Sequence, residues 1–142
     1  MSESPALHVL LVEDDDVAAE AVMRSMRRAG IACPVTWVED GQAALEVLRD
    51  QDAQRVAPRP RLILLDLNMP RMYGFEFLDA VRSDPKLREE VIFVLTTSSA
   101  DSDRSRAYDG NVAGYMVKSA VGPQFARLTQ LLDGYRHAIQ LP

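Results

Sequence analysis

Five short runs of the chain are built almost wholly from apolar and β-branched residues: Leu7–Val12, Val35–Val38, Leu62–Leu65, Val91–Leu95 and Gly114–Val117. In Leu62–Leu65 and Val91–Leu95 the apolar residues are continuous instead of alternating. Strands of that kind are covered on both faces, which points to a parallel sheet flanked by helices. The segments between them carry helical spacing. Asp16–Ala29 is rich in alanine and methionine and stops at Gly30, and Asp40 is placed to cap a helix running through Arg49 with Leu45 and Leu48. Phe75–Ser83 repeats apolar residues at Phe75, Leu78 and Val81, with Pro85 just beyond. Ser102–Tyr108 is a polar helix with few core residues, and Gln124–Gln140 is the longest and best patterned. Arg55–Arg61 reads as a loop. The order βαβαβαβαβα predicts a doubly wound α/β fold with a five-stranded parallel sheet of flavodoxin-like strand order 2-1-3-4-5.

With 142 residues, 47% of them hydrophobic and 26% charged, the chain has the makings of one globular domain spanning residues 1–142, preceded by a mobile tail, Met1–Pro5. A net charge of -5 argues against nucleic acid as a partner, because phosphate neutralisation needs a basic surface. Cys33 is the one cysteine, so neither an internal disulfide nor a cysteine-based zinc cluster is available. The first apolar run is too short to span a bilayer and has no basic stretch before it, so no membrane partner and a cytoplasmic setting are expected.

The polar residues that end the strands carry the chemistry. Strand one ends in Glu13-Asp14-Asp15-Asp16, strand three in Asp66, strand four in Thr96-Thr97 and strand five in Lys118. These are carboxyl ends, where open parallel sheets place their sites. Strands one and three are neighbours in this order, so Glu13, Asp14 and Asp66 converge and repel unless a cation shares the site. Oxygen-only ligands suit Mg²⁺, and a lysine with a hydroxyl opposite completes an anion site of phosphate size. The pattern suggests Mg²⁺-dependent phosphoryl transfer with Asp66 as nucleophile. Each part also has a plainer reading. Glu13–Asp16 can be the acidic start of a helix, Lys118 a solvated lysine, Thr96 a strand residue or cap, and Tyr115 a sheet aromatic. His8, Cys33 and Trp37 read as packing residues, and His137 as solvated.

Taken together, LLVEDD, DLNMPRMYG, VLTTSS and GYMVK, in that order, resemble the receiver domain of two-component response regulators over roughly residues 7–132. The resemblance implies that Asp66 accepts a phosphoryl group from the phosphohistidine of a partner histidine kinase. It implies that Glu13, Asp14, Asp66 and the backbone carbonyl of Asn68 hold Mg²⁺. Lys118 would then pair with Asp66 or the phosphoryl group, and Thr96 and Tyr115 would form the switch. The TTS tripeptide, the Lys-Ser end and the long last helix resemble single-domain regulators paired with phytochrome-type kinases. One departure is Ser119 after the lysine, where most receivers have a cis-proline; a non-proline cis bond costs about 3–4 kcal/mol, so the turn there is strained or takes another path.

Two other functions compete with this one. A phosphatase of the haloacid dehalogenase type needs a second acid two residues after the nucleophile, where this chain has Asn68. A pseudo-receiver acting only as a binding module would be expected to lack a carboxylate or the lysine. Two surfaces are expected to bind protein. Ala19, Val22, Met23 and Met26 turn inward on the first helix, leaving Val17, Ala18, Ala21, Arg24 and Arg28 for kinase docking. Phe125, Leu128, Leu132, Tyr135 and Ile139 recur at coiled-coil spacing and predict a homodimer through the last helix, after which only Gln140-Leu141-Pro142 remain for any output segment.

Overall fold

A computed structural model describes residues 7–28, 33–67, 74–96 and 101–117. Five parallel strands form one sheet in the order β2-β1-β3-β4-β5. The elements run β1 (His8–Val12), α1 (Asp16–Arg28), β2 (Val35–Val38), α2 (Gly41–Leu48), β3 (Arg61–Leu65), α3 (Gly74–Ser83), β4 (Ile92–Thr96), α4 (Asp101–Asp109) and β5 (Gly114–Val117). The expected fold class and strand order are therefore both present. The tail Met1–Pro5 and the helix Gln124–Gln140 lie outside the described residues.

The continuous apolar runs are explained by what covers each face. Leu10, Val12, Ile63, Leu65, Ile92 and Val94 pack with α2 and α3 in one core cluster. The alternate residues Val9, Leu11, Leu62, Leu64, Phe93 and Leu95 pack with Ala19, Val22 and Met26 of α1 in a second. A two-sided sheet leaves no room for polar alternation, and the central strand β3 is buried at every position.

Helix α1 turns inward along the expected stripe, with Ala19, Val22 and Met26 buried and Met23 partly so. Asp40 caps α2 as anticipated, its carboxylate accepting from the Ala43 N–H at 2.8 Å. In α3 the buried aromatic is Phe77, whereas Phe75 is half-buried under the Arg106 guanidinium, 4.2 Å from its ring centre. Helical spacing permits either register, and packing against α4 selects this one. Of the α4 side chains from Arg104 onward only Ala107 is buried, in keeping with its polar sequence.

One expectation is corrected. Arg61 is not loop but the first residue of β3, and it is buried. Its guanidinium makes a two-pronged pair with the buried Glu90, Nε to Oε1 at 3.0 Å and Nη2 to Oε2 at 2.9 Å, and donates to Ala57 O at 2.8 Å. A charge can enter the sheet only with such a partner, and Glu90 is remote in sequence. Arg82 of α3 is a second anchor, donating to the carbonyls of Gly110, Arg88, Glu90 and Asn111 at 2.7–3.0 Å. It ties the ends of α3 and α4 to the start of β4. His8 Nε2 donates to the Thr36 hydroxyl at 2.7 Å, and that hydroxyl donates to Val56 O at 2.7 Å. Burial and the Arg61 charge hold the His8 pKa below its ordinary 6.5. Among the described residues no helix is long and apolar enough to cross a membrane.

Candidate functional site

The site is set by strand register. Val12 pairs with Leu65, and the Asp66 N–H continues the ladder by donating to Val12 O at 2.9 Å. Glu13 and Asp66 are thus the first residues past the carboxyl ends of adjacent strands. Glu13 stays inside the sheet edge because its N–H donates to Val38 O at 3.0 Å. Both acidic residues are buried, Glu13 2% exposed and Asp66 6%, whereas Asp14 is open to solvent. Carboxylate oxygens of Glu13, Asp14 and Asp66 all lie within 4.8 Å of one another.

The acidic run at the end of β1 divides its labour. Asp15 is the helix-start residue: its carboxylate accepts from the N–H groups of Val17 at 2.9 Å and Ala18 at 3.4 Å. Asp16 opens the first turn of α1. The helix-cap reading therefore holds for Asp15, while Glu13 and Asp14 turn towards Asp66. Three clustered carboxylates, two of them buried, repel one another at short range. A hard divalent cation with oxygen preference fits this donor set, taking a few protein oxygens and leaving positions for water or a phosphoryl oxygen.

Two neighbours shape the cluster without belonging to it, and sequence reasoning missed their part. Gly74, the first residue of α3, donates its N–H to Leu67 O at 2.9 Å, closing the loop after Asp66. A Cβ there would stand 2.3 Å from Leu67 Cα and 2.8 Å from Asp66 O, so only glycine lets α3 start this close to β3. The indole N–H of Trp37 donates to Glu13 O at 2.7 Å. Gly74 ends the run DLNMPRMYG singled out in the sequence, which does not show its contact with Asp66 O. Trp37 gave no signal beyond its place on a strand next to β1.

The other expected site residues are placed unevenly. Thr96 ends β4 beside Val117 of β5, at the same carboxyl edge as Asp66. Tyr115 pairs with Val94, is half-buried against the core, and has the Arg104 guanidinium 5.9 Å from its ring centre. It is thus the sheet aromatic foreseen, on the face that α4 borders. Asn68, Lys118 and Ser119, with Phe125, Leu128, Leu132, Tyr135 and Ile139, lie outside the described residues. On α1, Val17 is 74% exposed and Ala21, Arg24 and Arg28 are exposed, while Ala18 is half-buried.

Comparison with known proteins agrees with this geometry. The chain is 38% identical over 134 residues to the probable methanogenesis regulatory protein FilR2 of Methanothrix harundinacea, covering 94% of this chain and 85% of that protein. It is 32% identical to the response regulator Rcp1 of Synechocystis, covering 93% and 90%. The solved Mn²⁺-bound form of Rcp1 superposes with a TM-score of 0.82 over 97% of this chain and 99% of that one. The phosphorylated cyanobacterial phytochrome response regulator RcpA superposes with a TM-score of 0.84 at 32% identity, with the same coverage. Residues 9–132 match the response regulator receiver domain, and the chain belongs to that family.

Proposed function

We propose that the chain is a Mg²⁺-dependent phosphoacceptor in which Asp66 takes a phosphoryl group from the phosphohistidine of a partner histidine kinase. The observation that carries this reading is the convergence of Glu13, Asp14 and Asp66 within 4.8 Å at the edge where β1 and β3 end. An Asp66 carboxylate oxygen attacks phosphorus, the new O–P bond forms, and the N–P bond to the kinase histidine breaks in line with it. A Mg²⁺ ion held by Glu13, Asp14, Asp66 and the Asn68 carbonyl would neutralise charge on the phosphoryl oxygens.

The chain's own residues supply the rest. Burial keeps the Asp66 carboxylate from bulk water, and the short β1–β3 register holds it against Glu13. Lys118 pairs with the phosphoryl oxygens, and Thr96 turns its hydroxyl onto them once they are in place. Tyr115, on the adjacent strand opposite Val94 and two residues before that edge, follows that movement and changes the face offered to partners. The outer face of α1, with Val17, Ala18, Ala21, Arg24 and Arg28, borders the site and receives the kinase. RcpA is by its description a phytochrome response regulator, and a phytochrome-type kinase is accordingly the proposed donor. The apolar spacing from Phe125 to Ile139 supports a homodimer through this segment, and the chain is proposed to act in the cytoplasm.

Intact mass after treatment with acetyl phosphate tests the central step. The expected result is one added phosphoryl group that requires Mg²⁺ and is absent from Asp66→Asn. A mass gain that persists in Asp66→Asn would overturn the assignment. Transfer from a phosphorylated phytochrome-type kinase, measured against a kinase of another sensor class, tests the partner. Sedimentation over a wide concentration range tests the dimer, which a monomer mass in both phosphorylation states would exclude.

A further inference from the structure

We propose that Trp37 is a positioning residue for the divalent-cation site, holding the Glu13 peptide through a bond from its indole N–H. The inference rests on the reading of Glu13, Asp14 and Asp66 as that site. Glu13 is the point where β1 leaves the sheet, and its peptide is held from β2. Its N–H reaches Val38 O at 3.0 Å, and its carbonyl accepts from Trp37 Nε1 at 2.7 Å. The two bonds grip one residue from the same neighbouring strand. They fix the direction in which the chain turns from Glu13 into Asp14, and hence where both carboxylates stand relative to Asp66.

The indole is itself well held. Its ring is half-buried and packs on the core cluster that β1 shares with α1, opposite Leu11 in the β1–β2 register. Its own carbonyl accepts from Arg55 Nη1 at 3.4 Å, and the same guanidinium pairs with Glu39 at 2.9 Å and Asp52 at 3.0 Å. The loop after α2 therefore buttresses β2 at this residue. A phenylalanine ring would keep an aromatic group against the core cluster, with less volume, and lose the donor. Trp37 is also the one tryptophan of the chain, so the fluorescence of the protein reports on this residue's surroundings.

The experiment is Mg²⁺ titration of the full chain by calorimetry, for wild type, Trp37→Phe and Thr36→Val. The last variant breaks the two 2.7 Å bonds that the Thr36 hydroxyl makes, to Val56 O and from His8 Nε2, and leaves the Trp37–Glu13 contact in place. Trp37→Phe is expected to weaken Mg²⁺ binding by about three- to ten-fold, as for loss of one hydrogen bond. Thr36→Val should bind as wild type does. Phosphorylation of Trp37→Phe by acetyl phosphate should recover when Mg²⁺ is raised above its new dissociation constant. Wild-type emission should change with Mg²⁺ and reach half of its full change at the calorimetric midpoint. Unchanged Mg²⁺ affinity in Trp37→Phe, or an equal loss in Thr36→Val, would overturn the proposal. If Trp37→Phe does not fold, wild-type emission decides, and an indole blind to saturating Mg²⁺ overturns it. A wild type that binds no Mg²⁺ would instead remove the cation site itself, and this proposal with it.

Discussion

Gly74→Ala adds a single methyl group at the junction of α3 with the loop that follows Asp66. That methyl would stand 2.3 Å from Leu67 Cα, 2.8 Å from Asp66 O and 2.9 Å from Leu67 Cδ2. Two of the three atoms are backbone, so rotamer changes cannot relieve the clash. Carbon atoms in contact prefer about 3.5–4.0 Å, so the start of α3 and the Leu67 backbone must separate by about 1 Å. The 2.9 Å bond from Gly74 N to Leu67 O lies in the path of that movement. Overpacking of this kind costs about 1–3 kcal/mol, partly offset by the roughly 0.8–1.0 kcal/mol that alanine gains over glycine in a helix. A net loss of up to about 2 kcal/mol corresponds to a fall in Tm of up to roughly 7 °C at this chain length. Because Asp66 O is one of the crowded atoms, the Asp66 carboxylate is displaced as well, and Mg²⁺ affinity and phosphorylation rate should each fall at least about ten-fold.

Gly110→Ala is the matched comparison. Its Cβ would meet the Leu78 side chain at 2.3 Å and 2.7 Å, a buried clash remote from the acidic cluster. It should lower Tm by a similar amount and leave Mg²⁺ affinity as in wild type. Thermal unfolding followed by circular dichroism, with Mg²⁺ titration of the folded variants, separates the two. If Gly74→Ala matches wild type in both Tm and Mg²⁺ affinity, or if Gly110→Ala loses as much affinity as Gly74→Ala, the account of Gly74 is wrong.

Asp66→Asn removes one of the three clustered carboxylates, so it should abolish most of the stabilisation that Mg²⁺ gives the wild type; unfolding in EDTA and in excess Mg²⁺ reads the effect, and an unchanged Mg²⁺-induced rise in Tm would refute the cation-site reading. Glu90→Ala strands the buried Arg61 charge and should cost about 3–5 kcal/mol in urea unfolding, nearly independent of salt, whereas a loss under 1 kcal/mol would mean that water reaches Arg61. The depressed pKa of His8, caused first by burial and then by Arg61, means that the unfolded chain binds a proton more readily than the folded one. Stability should therefore decline as pH falls below 6.5, and His8→Gln should flatten that part of a Tm-against-pH profile; an unaltered slope would assign it to other groups.

Much of the architecture was legible in the order of residues because it follows from local rules. Continuous apolar runs can be only two-sided strands or buried helices, and their lengths with the Gly, Asp and Pro punctuation between them select strands joined by helices. Asp40 as a cap and the inward stripe of α1 are equally local, since each depends on contacts within a few residues. The acidic cluster was legible for a different reason: in a parallel sheet every strand ends on the same edge, so naming the last residue of β1 and of β3 already places Glu13 beside Asp66.

Only tertiary structure decided what depends on partners distant in the chain. Arg61 looks like loop until Glu90, 29 residues on, supplies the carboxylate that lets it enter β3. Phe77 takes the core position over Phe75 because α4 presents Arg106 to one ring and the sheet presents apolar space to the other. Within the run Glu13–Asp16 nothing in composition tells one acidic residue from the next; the direction in which the backbone leaves β1 places Asp15 at the start of α1 and Glu13 with Asp14 beside Asp66. That direction is held by Val38 and Trp37 of a strand more than twenty residues away, a hydrogen-bonding relation that has no signature in either segment alone.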